Sequence, residues 1–140
     1  AAKRKEYLQT AFSQIIMDLD IEINELQGKV LLGDIKIQEK LRKAGFHHYY
    51  IGTVEAEPGV EDVAKAVKAG NYTRVVLAPF MLVAGDHANN DMAGDEEDSW
   101  KSVFSREGYQ VLCLLKGLGE LEKIRLLFAE HAREAMKSLE

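Results

Sequence analysis

The segment TRVVLAPF, residues 73–80, is apolar almost without alternation, and this constrains the fold of the chain more than any other feature. A strand with one wet face alternates apolar and polar residues, so a continuous run rich in valine and leucine predicts a strand buried on both faces, as in parallel sheets flanked by helices. Three more segments read as strands: GKVLLG at 28–33, HHYYIGTVE at 47–55 and YQVLCLL at 109–115. Helical periods separate them. Leu8, Phe12, Ile15, Ile16 and Leu19 form the first, and residues 37–44 the second, ending at Gly45. Val60, Val63, Ala64 and Val67 form the third, closed by Gly70 and Asn71. Trp100, Val103 and Phe104 form a fourth that stops at Gly108, and Ile124, Leu127, Phe128, Ala132, Ala135 and Met136 form a final stripe. Strand and helix in alternation predict an α/β fold: a three-layer, four-stranded, mainly parallel sheet with helices on both faces, flavodoxin-like in style.

Bulk properties narrow the function. At 140 residues, with 46% hydrophobic and 29% charged residues, the expectation is a single domain over 1–140 with one core. A formal charge of -5 without a basic cluster argues against nucleic acid as a partner. The longest apolar run, residues 75–85, contains a proline and is well short of the roughly 20 residues a spanning helix needs. The opening AAKRKEYLQ has no signal-peptide core. The expectation is a cytoplasmic protein with no membrane segment. The single cysteine, Cys113, permits neither an internal disulfide nor a thiolate zinc cluster, and reads as a buried strand thiol.

In a parallel sheet, ligands bind beyond the carboxyl ends of the strands. The segments placed there are Gly33-Asp34, Glu55-Ala56-Glu57 and Asp86-His87. Residues 82–100, LVAGDHANNDMAGDEEDSW, gather one histidine, two asparagines and six carboxylates after the apolar run. Composition alone leaves two readings open, a reactive rim and a solvated loop. Glu55 and Glu57 flank a turn and read equally as solvated. His87 has Asp86, Asn89, Asn90 and Asp91 around it, groups able to fix an imidazole tautomer as partners of metal-bound histidines do. Asp95 to Asp98 read as carboxylates at the start of the following helix, complementing its dipole. His47, His48 and His131 read as surface or packing residues. An EF-hand register fails because it puts Ala93 and Trp100 at ligand positions, and KGLGELEK has Glu122 where a dinucleotide fingerprint needs its third glycine. Ser99 has no G-x-S-x-G elbow.

GTVEAEPGVEDV, VVLAPFMLVAGDHANNDMAGDEEDSWKSVF and KGLGELEKIRLLFAEH together resemble the carboxyl-terminal half of the anaerobic sirohydrochlorin cobalt chelatases, over about residues 46–135. The resemblance implies insertion of Co(II), and often Fe(II), into sirohydrochlorin on the oxygen-independent route to cobalamin. It also implies a homodimer or other homo-oligomer that completes the cleft, as in single-half members of the superfamily. That family holds its metal with two histidines and a glutamate. The glutamate matches Glu55 and one histidine matches His87, with Asp86, Asn89, Asn90 and Asp91 as substrate-binding or supporting groups. The other histidine lies in an M-G-H-G segment, where this chain reads L-L-G-D-I-K with Asp34 in the matching place. The departure makes a shortened or engineered, catalytically impaired domain that keeps the fold the second reading.

Overall fold

The computed structural model describes residues 33–139, and two compact units divide the chain: residues 47–118 form one, and residues 1–46 with 119–140 form the other. The helix expected around residues 8–19 and nearly all of the GKVLLG strand lie outside the described residues.

In the second of these units, α1 spans Gly33–Lys43 and buries Ile37 and Leu41, one turn apart on a single face. It begins four residues before the predicted start and carries Lys40, Arg42 and Lys43 in its last turn, where cations complement the exposed carbonyls. Gly45 ends it at φ +89°, with Gly45 N–H donating to Arg42 O at 3.0 Å and Phe46 N–H to Leu41 O at 2.8 Å. This paired pattern satisfies the last carbonyls through a left-handed residue that favours glycine. Helix α4, Glu122–Lys137, belongs to the same unit. Of its predicted stripe only Ile124 is buried, while Phe128 and Met136 are exposed.

The unit of residues 47–118 contains α2 at Val60–Lys68, β1 at Arg74–Leu77, a π-helical turn at His87–Met92, α3 at Trp100–Arg106 and β2 at Gln110–Cys113. Strands β1 and β2 are parallel, pairing Arg74 with Gln110 through Leu77 with Cys113. Val63, Ala64 and Val67 of α2, Leu77 of β1, Met92, and Val103 and Phe104 of α3 form one core, with Val75, Val111 and Cys113 packed against it. Phe104, only 1% exposed, stands at its centre, with Trp100 and Tyr109 against its ring at centroid distances of 6.3 and 5.9 Å. The alternate strand positions, Val76 and Leu112, are exposed. Helix α3 closes as α1 does, with Gly108 at φ +91° and Tyr109 N–H donating to Phe104 O at 3.2 Å.

The mixed helix and parallel-strand composition agrees with the α/β expectation, but the described residues form a two-stranded sheet rather than four strands in three layers. HHYYIGTVE forms no strand there. A strand needs a partner to complete its backbone ladder, and the aromatic groups that suggested one have another use. The Tyr72 hydroxyl lies 2.8 Å from His48 Nδ1 and 3.3 Å from the Tyr50 hydroxyl, with both rings edge-on to Tyr72. The start of α3 also differs from expectation. Asp95 to Asp98 lie in turns ahead of the helix, and the cap is Ser99. Its hydroxyl accepts from Ser102 N–H at 3.1 Å and donates to Gly94 O at 2.8 Å, which excludes it as a nucleophile waiting for a base. Cys113 is half-buried, and burial pushes its thiol pKa up, as suits an inert packing residue. No helix among the described residues is long and apolar enough to cross a membrane.

Ser99 is 1% exposed, so replacing it strands both the Ser102 amide and the Gly94 carbonyl. Ser99→Ala is expected to lower stability by about 1–2 kcal/mol, read as a lower urea midpoint at unchanged slope.

Candidate metal centre

His87 opens the π-helical turn in the segment that follows β1, ten residues after the strand ends at Leu77; α/β folds place ligands in segments that follow parallel strands. The turn is wider than an α-helix: Ala93 N–H donates to Ala88 O, five residues back, at 3.1 Å. Ala88 and Met92 are buried, and these two anchors fix the turn's rotation. His87 and Asp91, each one residue earlier, therefore share the outward side. There the His87 Nδ1–H donates to Asp91 Oδ2 at 2.6 Å. A carboxylate only accepts, so this contact sets the tautomer and leaves the Nε2 lone pair available. Nε2 points to Glu55, 4.0 Å from its Oε1.

Glu55 reaches this position from a tight turn between residue 52 and α2. Thr53 N–H donates to Pro58 O at 2.8 Å, and Ala56 N–H donates to Thr53 Oγ1 at 3.1 Å. Gly52 anchors the turn by close approach. A Cβ there would lie 2.5 Å from Trp100 Cη2 and 2.6 Å from Val63 Cγ2. Any side chain at 52 must push the turn away from α2 and α3.

The gap between His87 Nε2 and Glu55 Oε1 is too long for a hydrogen bond and suits a shared cation. Bonds of about 2.0–2.2 Å from one ion to each atom allow a separation up to about 4.2 Å, which the observed 4.0 Å meets. The Glu55 side chain is 81% exposed. No group of three or more His, Cys, Asp or Glu able to hold a metal occurs among the described residues. Among the described residues the close approach at this place is therefore that of His87 and Glu55, both exposed. The side chain of Asp34, at the expected place of a further histidine, lies outside the described residues.

The other expected site residues divide by role. Asn89 is committed to the backbone: its Nδ2 donates to Ala84 O at 3.0 Å and Gly85 O at 2.8 Å, locking the entry to the turn. Asn90 and Asp91 line a pocket of about 160 Å³ with Val54, Val60, Glu96, Asp98 and Trp100. Asp86 is exposed and adds negative potential at His87. Glu57 makes no contact with the pair. Gly52, Thr53 and Trp100 support Glu55 without any sequence signal for that role, because their effect arises from close approach across the fold.

The Asp91 hydrogen bond raises the His87 pKa above its ordinary 6.5, desolvation opposes it, and the charges of Asp91, Glu55 and Asp86 add to the rise. Asp95, by contrast, pairs with Lys101 at 2.7 Å on the surface, and that hydrogen bond lowers its pKa.

A family model for cobalt chelatase (CbiK) matches residues 34–137. A sirohydrochlorin cobaltochelatase from Salmonella typhimurium is 44% identical over 86 residues, covering 61% of this chain and 33% of the relative. A sirohydrochlorin cobaltochelatase, CbiKC, from Nitratidesulfovibrio vulgaris is 30% identical over 93 residues, covering 66% and 33%. The chain therefore spans about a third of the length of the curated relatives it matches.

Because the folded-state pKa of His87 is raised, the imidazolium–carboxylate contact is complete below about pH 6.5 and is lost as pH rises through the higher folded value. An NMR titration of the His87 ring is expected to give a midpoint above 6.5 in the parent chain, and a midpoint shifted down in Asp91→Asn.

Proposed function

Since the chain belongs to the cobalt chelatase (CbiK) family, we propose that it inserts Co(II) into sirohydrochlorin, with His87 and Glu55 holding the metal before transfer. The observation that carries this reading is the 4.0 Å approach of His87 Nε2 to Glu55 Oε1, with Nδ1 already taken by Asp91. An imidazole nitrogen and a carboxylate oxygen bind Co(II) firmly enough to collect it, without the grip of thiolates that would oppose release. The same donors suit Fe(II), which we propose as a second metal substrate.

Insertion exchanges one divalent ion for two pyrrole N–H protons. As ring nitrogens replace the protein donors, His87 Nε2 or Glu55 is freed and takes one proton, and the other passes to solvent. The raised basicity of His87 favours its role as the acceptor, with Asp91 holding the ring so that Nε2 faces the reacting atoms. Asp86 attracts the incoming cation, and Asn90, which lines a pocket with Asp91, serves as a substrate contact. Asn89 acts through the backbone rather than on substrate.

The reading treats the 140 residues as one chelatase-type domain, supported by a family match that runs across both compact units. It includes a homodimer, since a two-donor site open to solvent gains its second wall most simply from another copy. A cytoplasmic setting accompanies it, in keeping with a lone cysteine.

In an anaerobic assay following the absorbance of sirohydrochlorin with Co(II), His87→Ala and Glu55→Ala are each expected to lower the rate at least about 100-fold, the scale of losing a metal ligand or proton acceptor. A parent rate no higher than that of metal alone would overturn the chelatase reading and leave a domain that only binds metal or tetrapyrrole. Equilibrium sedimentation tests the dimer, and a monomer at tens of micromolar would overturn it.

A further inference from the structure

Between β1 and His87 the chain runs through Phe80, Met81, Leu82 and Val83, and three of these side chains are apolar and exposed, Leu82 and Val83 more than Phe80. Leu82 is 51% and Val83 72% exposed, four to five residues before His87. Exposed aliphatic residues are ordinary on loose loops, but this backbone is held by the 117–118 segment and by Asn89. Leu118 N–H donates to Met81 O at 2.7 Å. Gly117 lies so close that a Cβ on it would stand 2.5 Å from Leu82 O, 2.8 Å from Val83 Cα and 3.0 Å from Ala84 N. The Asn89 amide clamps the carbonyls of Ala84 and Gly85 just beyond. The result is a fixed apolar ledge whose far end is tied to the same turn that carries His87.

Resting on the chelatase reading, we infer that Leu82 and Val83 form the platform for the apolar face of the tetrapyrrole during metal transfer. A ring receiving a metal from His87 and Glu55 must lie flat beside them, with its carboxylates at the periphery in water. A preformed apolar surface four to five residues before His87, tied to its turn through Asn89, meets that demand, as ligand sites combine apolar walls with a few placed polar groups. The carboxylates around the donors, Asp86, Asp91 and Glu55, repel the substrate's acidic rim. The apolar contact therefore supplies attraction where charge does not.

The test uses uroporphyrin, a metal-free polycarboxylated porphyrin, and follows quenching of the fluorescence of Trp100, the single tryptophan. Leu82→Asn and Val83→Asn are each expected to weaken binding about tenfold, the loss for withdrawing one aliphatic side chain from an apolar contact. Met136→Asn, an equally exposed apolar position on α4, is expected to leave it unchanged. Co(II) binding by the protein alone, read from its visible absorption, is expected to be the same in all variants. Equal uroporphyrin affinity in the ledge variants and the parent overturns the ledge while leaving the chelatase reading in place. A parent that does not bind the porphyrin overturns both. A change confined to self-association, seen by sedimentation, overturns the ledge in favour of an interface between copies.

Discussion

The site depends on the anchoring of one wide helical turn. Met92 belongs to the core of the 47–118 unit and Ala88 is fully buried, and together they hold the rotation of the π-helical turn. With those two held inward, His87 and Asp91 are held outward and together, and their 2.6 Å hydrogen bond follows. That bond decides which imidazole nitrogen remains for a metal.

The second donor arrives by a different physical route. Glu55 is not part of a regular element, and it is presented by a turn tied through Thr53 and Pro58 and seated by Gly52 against Trp100 and Val63. The precision comes from contact between α2, α3 and the turn. The donors themselves remain exposed. Packed elements thus support two exposed side chains, His87 at 54% and Glu55 at 81%.

Much of the architecture was legible from periodicity. Helices α2 and α3, the parallel pairing of β1 with β2 and the glycine stops at Gly45 and Gly108 follow from local spacing and backbone sterics, whereas burial of the strands on both faces does not hold, since Val76 and Leu112 are exposed. The segment HHYYIGTVE has strand propensity but forms no strand, because β-propensity reports side chains that pack well on a pleated surface, and an aromatic cluster around Tyr72 satisfies the same preference without a ladder. The stripe on α4 was read correctly as helical, but periodicity alone does not say how deeply a face is buried. Asp95 to Asp98 were assigned to the helix start by charge, whereas the cap is decided by the hydroxyl of Ser99 reaching an amide three residues on.

For the centre itself, the residue types and their motifs were in the sequence: His87 and Glu55, and Asp91 at a spacing of four from His87. Tertiary structure decided the rest. It brought Glu55 to 4.0 Å from Nε2, assigned Asp91 to Nδ1, and turned Asn89 from a candidate ligand contact into a clamp on the backbone. The physical reason is range. Motif and period are set by neighbours along the chain, while the approach of two donors 32 residues apart depends on packing between elements that no local pattern encodes.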